Sequence, residues 1–483
     1  MQQEVQQRRF ERVFLILFLV TLPLINPWVR GDGVGYYAYA RAILIGHNLD
    51  FTYDYQSANE SFRKARCYDN GEPRELFRTV TGHLDNHFTV GPAMLWAPFL
   101  LVAHGGVLVA RSLGSPVLAD GYSAPYRIAM ALATCLYGFL GLMISFRLAC
   151  KYVNPRWAFL ATLAIWGGSS LPVYMYFNPA WSHAHAAFIS ALFLWYWDKT
   201  RESRTWGQWL WLGLIVGMML NVYYLNVVIL TVLVVEALSQ YAQVLQGKSA
   251  APNVSFKQLV ARHLVFGLIV IVVMIPTFAS RWIVYGGPLR TGYLSLREFL
   301  WDSPVLFSVL FSANHGLLSW TPVLVLSILG LFLFAMWTPK PGVAFFLTFV
   351  AYYLFMAFYP DWAGISSFGN RYFIPMTPLF LFGLAAFLHS LAQRIGDLKV
   401  ATAAISSVLL VFVLWNLGLM YQWGTHLVPP HGPISFRQAA ANQFTVVPRQ
   451  LATHLETYLF RRKDMMRQIE EHEMQRLNKD AEP

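Results

Sequence analysis

Long apolar runs separated by short polar turns set the pattern of this chain. Candidate spans are residues 13–28, 93–113, 126–147, 157–177, 182–197, 208–222, 224–244, 262–282, 316–337, 342–359, 372–393 and 400–420. A helix needs roughly 17–25 apolar residues to cross a bilayer, so these twelve runs predict an all-α polytopic membrane protein. Runs 208–222 and 224–244 share one apolar block, which implies a tight hairpin near residue 223. No internal repeat, low-complexity stretch or seven-residue periodicity interrupts the pattern.

Loop charge decides which runs cross. Arg8, Arg9 and Arg12 precede the first run and place the N-terminus in the cytoplasm. If 93–113 crosses, four basic loops fall outside: Arg147/Lys151/Arg156, Lys199/Arg201/Arg204, Lys248/Lys257/Arg262 and Arg394/Lys399. If 93–113 lies on the surface or re-enters, all four fall inside. The second arrangement predicts about eleven transmembrane helices. It also gives a long first outer loop, 31–125, with juxtamembrane helices. Residues 1–420 then form the membrane domain, and 421–483 form an external tail. Within the tail, 449–478 reads as an amphipathic helix on the membrane or as a partly ordered charged tail.

Composition sharpens this picture. Of 483 residues, 56% are hydrophobic and 13% charged, against about 25% charged in soluble domains. The net charge of +11 is scattered between apolar runs, which suits loop orientation and anionic lipid rather than nucleic acid. "QQRRFER" followed by an apolar run and "LINPWVRGDG", with no small-x-small cleavage site, reads as an uncleaved signal anchor. Cys67, Cys135 and Cys150 make no disulfide framework, since only Cys67 faces outward in this topology.

With sidedness set, the polar residues at span ends collect on one face. Asp32 follows the first span, between Gly31 and Gly33 and ahead of Tyr36 and Tyr37. "HLDNHF" brings His83, Asp85 and His87; "NPAWSHAH" brings His183 and His185; "ANHG" brings His315; "YPDWAGISSFGNRYF" brings Asp361, Asn370 and Arg371. The cytoplasmic loops hold mostly basic residues and short turns. Ionisable groups at membrane depth cost about 2.5–3.5 kcal/mol on insertion scales and mark functional candidates. Each has a plainer reading. Asp32 is a solvated helix-end acid or the centre of a reaction. His83, Asp85 and His87 alternate as metal ligands on a strand would, or they are ordinary hydrogen-bonding loop residues. His183 and His185, two apart, do not share a helix face, so one is functional and one packs, or both are caps. Arg371 snorkels to headgroups or binds phosphate. Trp96, Trp320, Trp362 and Tyr372 suit the aromatic interface belt. A transporter or flippase would concentrate polar groups near midspan in broken helices; it stands as the alternative to an enzyme working at the outer surface.

"RGDGVGYYAYARAIL", "NHFTVGPAMLWAPF", "YGGPLRTGY", "HGLLSWTPVLVLSILGL" and "WAGISSFGNRYFIPMTPLFLFGLA", in this order and topology, resemble the GT-C class of integral-membrane glycosyltransferases. The chain looks most like bacterial relatives of dolichyl-phosphate-mannose protein mannosyltransferases and the lipid A aminoarabinose transferases, across most of residues 10–420. The resemblance implies a multi-pass inner-membrane enzyme with its site on the periplasmic face. It implies a polyprenyl-phosphate-linked sugar donor and a glycan, lipid or protein acceptor carrying a hydroxyl. The family's first-loop acid falls on Asp32 as general base of an inverting single displacement, with Arg371, Arg290 and His87 on the donor phosphate. Tyr36, Tyr37, Asp85, His183, His185, His315, Asp361 and Asn370 are groove candidates. No cofactor is obligatory, and a divalent metal is an open alternative. The chain departs from the family in two places: His87 and "VGP" stand where the aminoarabinose branch has Lys-Pro-Pro, and "WSHAHAAF" stands where that branch often has a second acid.

Overall fold

The computed structural model describes residues 2–246 and 255–481. Lys248, Met1 and residues 482–483 of the 421–483 segment lie outside the described residues.

The first helix, α1 (Gln2–Thr21), ends where Pro23 and Pro27 remove backbone donors. The chain re-enters helix at α2 (Asp32–Arg41), every residue of which from Gly33 on is buried. The segment 42–123 then builds α3 (Thr52–Gln56), α4 (Glu60–Arg66) and α5 (Gly91–Ser112). Two isolated β-bridges, Cys67 with Pro73 and Arg78 with Leu84, pin its turns. Arg41 and Asp54 form a buried ion pair there, joined by the Tyr122 hydroxyl, which donates to Asp54 at 2.9 Å.

The bundle proper follows. It runs through α6 (Ala124–Cys150), α7 (Pro155–Gly168), α8 (His183–Thr200) and α9 (Trp206–Val222). Extended backbone at Tyr223 then breaks the apolar block before α10 (Thr231–Leu245). Next come α11 (Phe256–Val273) and α12 (Ile275–Tyr285), then two short helices, α13 (Leu306–Phe311) and α14 (Leu317–Trp320). The bundle closes with α15 (Leu324–Trp337), α16 (Pro339–Phe358), α17 (Thr377–Ile395) and α18 (Leu398–Gly424). Seven helical segments among the described residues are long and apolar enough to cross a membrane: 91–112, 124–150, 224–245, 256–273, 339–358, 371–395 and 398–424. Residues 91–112 thus have the length to span; only the loop charges set them on the surface.

Helix α17 is the bundle's centre and packs against α15, α7, α6, α18 and α8. Its closest approach is glycine on glycine: a Cβ built on Gly330 would stand 1.7 Å from the Gly383 carbonyl oxygen. Such small-residue contacts let helix backbones touch, which is how membrane helices gain dispersion energy without a hydrophobic driving force.

The tail is helical: α19 (Phe436–Thr445), α20 (Val447–Phe460) and α21 (Arg462–Ala481). A break at Arg461 divides 449–478 into two helices. Part of the tail's polar surface is spent on the protein itself, because α21 packs on α4. All three cysteines are unbridged, and Cys67 is buried.

Candidate functional site

Three glycines bring the first-loop acid to its place. Gly31 has φ +54°, a conformation that side chains rarely adopt. A Cβ on Gly33 would stand 2.6 Å from the Ala180 Cβ, and one on Gly35 would stand 2.2 Å from the Phe88 ring. Helix α2 therefore lies directly against segments 180–181 and 86–88. Asp32 opens that helix, where the positive end of the helix dipole favours a carboxylate.

The partner of Asp32 arrives from 339 residues away: Arg371 Nη1 donates to Asp32 Oδ2 at 2.6 Å. The arginine is buried and the carboxylate about one-third exposed (side chains 8% and 35%). The guanidinium lies 4.4 Å above the Trp181 ring and 5.4 Å from Tyr372. Trp181 is itself held by a bond from Nε1 to the Arg30 carbonyl at 3.1 Å. Asn370, also buried, donates to the Trp362 carbonyl at 3.1 Å and so fixes the turn that delivers Arg371. Among the described residues the buried Arg371 Nε has no hydrogen-bond partner. A desolvated cation is retained only with its charge and donors matched. Here the Asp32 carboxylate supplies the charge, and Nε remains without a partner among the described residues.

Tyr36 leads to a second polar cluster. Its ring is 4.5 Å from Phe88, and it lies within electrostatic reach of both Asp32 and Arg371. Beyond Phe88, His87 lies tilted against Phe88 at 4.2 Å and edge-on to Tyr293 at 4.8 Å, with Nδ1 3.6 Å from Asp85 Oδ2. The Tyr285 hydroxyl donates to Asp85. Burial alone would push the Asp85 carboxyl up, but hydrogen bonds from His87 and Tyr285 outweigh it and hold the group below the ordinary carboxylate range. Burial and the Asp85 charge both push the Tyr285 phenol up. Arg281 closes the cluster. Its guanidinium donates to the Tyr224 hydroxyl and, at 3.0 Å, to the Arg290 carbonyl.

The other sequence candidates divide. His183 is buried among Tyr174 (4.7 Å), Tyr223 (5.5 Å) and Trp181 (6.0 Å), on the Arg371 side. His185 points elsewhere, between Trp96 (5.1 Å) and Tyr137 (5.4 Å), as two residues of offset on one helix require. His315 is buried against Trp320 at 4.7 Å and senses the charge of Arg371. Tyr37 is a packing residue: its hydroxyl donates to the Gly121 carbonyl at 2.5 Å, and its ring meets Trp96 and Tyr122. Asp361 is exposed on the turn before Gly364. Arg290 is exposed, with its side chain folded over Gly287. His83 turns to Thr81 Oγ1, 3.0 Å away. Among the described residues no three His, Cys, Asp or Glu side chains converge as metal ligands, so His83, Asp85 and His87 are not assembled as a triad.

Asp32 and Arg371 both line a cavity of about 1440 Å³. Its body is apolar, walled by Leu17 of α1, Leu163 and Trp166 of α7, Leu414 and Leu417 of α18, and Leu451 and Leu455 of α20. Drug-sized ligands fill about 300–1,000 Å³, so this space exceeds what a single sugar needs.

Sequence reading missed Trp181, Arg281, Arg30 and the tail acids Glu470 and Glu473. Trp181 lies inside "NPAWSHAH", where the sequence reading singles out only the two histidines. Arg281 sits in "FASRWIVY" at a run's end, where a buried cation in an apolar stretch was the available signal.

No family model matches the chain, and no curated protein matches it. Among solved structures, the chain is similar to the apo crystal structure of ArnT from Cupriavidus metallidurans, with 15% sequence identity and a TM-score of 0.46 over 87% of this chain and 72% of that one.

Proposed function

We propose that the chain is a membrane glycosyltransferase of the GT-C type that transfers a sugar from a polyprenyl-phosphate donor to an acceptor hydroxyl at the outer membrane face. The observation that carries this reading is the Asp32 carboxylate, fixed by a buried arginine in the wall of a large, mainly apolar cavity. A long isoprenoid chain suits the cavity body. Its phosphate-linked head then reaches the stretch of wall where charge, aromatic faces and an unpaired donor meet.

The residues divide the chemistry as follows. Asp32 Oδ2 is occupied by Arg371, which leaves Oδ1 to accept the proton of the acceptor hydroxyl. General-base help of this kind contributes typically 10²–10⁴-fold. The acceptor oxygen forms its bond to the anomeric carbon from one face while the carbon–oxygen bond to phosphate breaks on the other. The electron pair leaves on the polyprenyl phosphate, and the anomeric configuration inverts. Charge growing on that phosphate is met by Arg371, whose Nε has no partner among the described residues. Trp181, which lines the cavity, offers a ring face to the sugar. The site is assigned no metal role.

The test is purified protein with defined polyprenyl-phosphate sugars and a hydroxyl acceptor, reading both free polyprenyl phosphate and the anomer of the product. Release coupled to an inverted glycoside supports the reading. Movement of the intact lipid across vesicles without release would replace it with the transporter or flippase alternative.

A further inference from the structure

The cavity wall formed by the tail differs from the others. Helices α1, α7 and α18 belong to the bundle, whereas α20 and α21 meet the first-loop side of the cavity through a series of polar bonds as well as apolar contacts. The Tyr458 hydroxyl donates to the Leu24 carbonyl at 2.8 Å, and Arg462 Nη2 donates to the Pro23 carbonyl at 2.7 Å. One turn after another of α21 then meets the loop. Glu470 accepts from the Ser61 backbone amide and, at 3.1 Å, from the Asn59 amide. Glu473 accepts from Ser61 Oγ at 2.9 Å and from Arg30 Nη2 at 2.8 Å. Glu470 is buried in its contact with Ser61 and Asn59, whereas the Arg30–Glu473 pair is partly open to water. Arg30 and Glu473 are 21% and 24% exposed, and such pairs contribute little to stability once solvated.

The clasp also touches the reacting part of the cavity. Arg30 is two residues before Asp32, and its carbonyl holds Trp181, on which Arg371 stacks. Opening the tail therefore loosens the same loop that positions the carboxylate, and closing it completes the apolar wall through Leu451, Leu455 and Ile469.

We propose that α20 and α21 are a movable wall: the Arg30–Glu473 and Ser61–Glu470 clasp parts to admit the isoprenoid chain of a polyprenyl phosphate and closes over it. This rests on the donor assigned above, and it adds the route and the regulating element. Low local stability in such an element is what lets it open without unfolding the bundle.

The experiment is hydrogen exchange of the full chain in detergent micelles, read at residues 462–475, with long-chain polyprenyl phosphate, farnesyl phosphate or inorganic phosphate as probe. The long-chain lipid is expected to slow exchange there, and the two short probes are not. E473K is expected to speed basal exchange of the segment by about fivefold, the size of one exposed ion pair, and the charge-swapped pair R30E/E473K to restore it. E473Q serves as the milder variant if E473K misfolds. Equal protection by all three probes, or no restoration in the swapped pair, would overturn the movable wall. Lipid protection of 462–475 without sugar release would leave the wall standing and sink the transferase. Turnover with exchange at 462–475 unmoved by lipid would do the reverse.

Discussion

Arg371 Nη1 reaches Asp32 Oδ2 at 2.6 Å across 339 residues of chain. This pairing changes the role the sequence suggested for the arginine. Snorkelling does not describe a guanidinium buried over Trp181; the structure shows it orienting the carboxylate, and phosphate binding is the further role proposed for it. R371A leaves a carboxylate without its charged donor and Trp181 without its stacked cation. We expect a loss of about 1.5–3 kcal/mol of stability, the range for hydrogen bonds to charged groups, and loss of turnover beyond what the stability change explains. R371K should recover much of the stability but not the turnover, because an ammonium lacks the planar fork that serves two partners. Thermal melts and single-turnover rates on the same preparations separate the two effects. Equal turnover in R371K and wild type would contradict the orienting role.

The glycines around Asp32 make a steric prediction. In G35A the new Cβ overlaps the Phe88 ring, at 2.2 Å before relaxation. Overpacking of this kind typically costs 1–3 kcal/mol. The double variant G35A/F88A should recover part of that loss, since the ring that was struck is gone. A melt of G35A indistinguishable from wild type would mean that α2 does not sit against 86–88 as described.

Asp85 gives a pH dependence with a definite sign. Its carboxyl is held below the ordinary range by His87 and Tyr285, against the opposing push of burial. A lowered folded pKa contributes stability that is fully present above the unfolded value of about 3.9 and is lost as pH falls through the lower, folded value. Melting temperature followed downward from pH 6 should therefore show an acid limb that D85N lacks. An identical limb in D85N would assign it to other carboxylates.

The two histidines of "WSHAH" should separate. His183 sits among Trp181, Tyr174 and Tyr223 beside Arg371, so H183A should lower turnover with lipid-linked donor. Both His185 nitrogens lack partners among the described residues, buried against Trp96 and Tyr137. Burying unpaired polar atoms is costly, so H185F should be neutral or stabilising, with turnover near wild type. A dead H185F with an unchanged melt would reverse the assignment.

The helical class and the ends of most helices were legible in the chain because lipid demands long apolar runs, and run length is a local property. The first-loop acid and the arginine after "SSFGN" were legible too, since ionisable residues at run ends stand out against 13% charge. Their pairing was not. A salt bridge spanning 339 residues depends on α2 and the start of the 371–395 segment meeting at Trp181, and neither segment encodes that meeting by itself. Tyr36 and Tyr37 show the same limit: adjacent and alike in sequence, one faces the charged pair and the other packs on Trp96. Arg290, prominent in "GGPLRTG", lies exposed over Gly287, while Arg281, hidden in an apolar stretch, is the buried cation of that cluster. The tail's role was hidden because Glu470 and Glu473 look like any charged helix face until Ser61 and Arg30 are brought beside them.

The most direct test of the account is D32N, an isosteric change that removes the base while keeping an acceptor for Arg371. In purified protein supplied with a polyprenyl-phosphate sugar and acceptor, release of polyprenyl phosphate should fall by about 10²–10⁴-fold, the typical contribution of a general base, read well below the melting midpoint, which should itself drop because the buried Arg371 loses its counter-charge. Release at the wild-type rate from folded D32N would contradict the assignment of Asp32 as the base, and with it the account of this site.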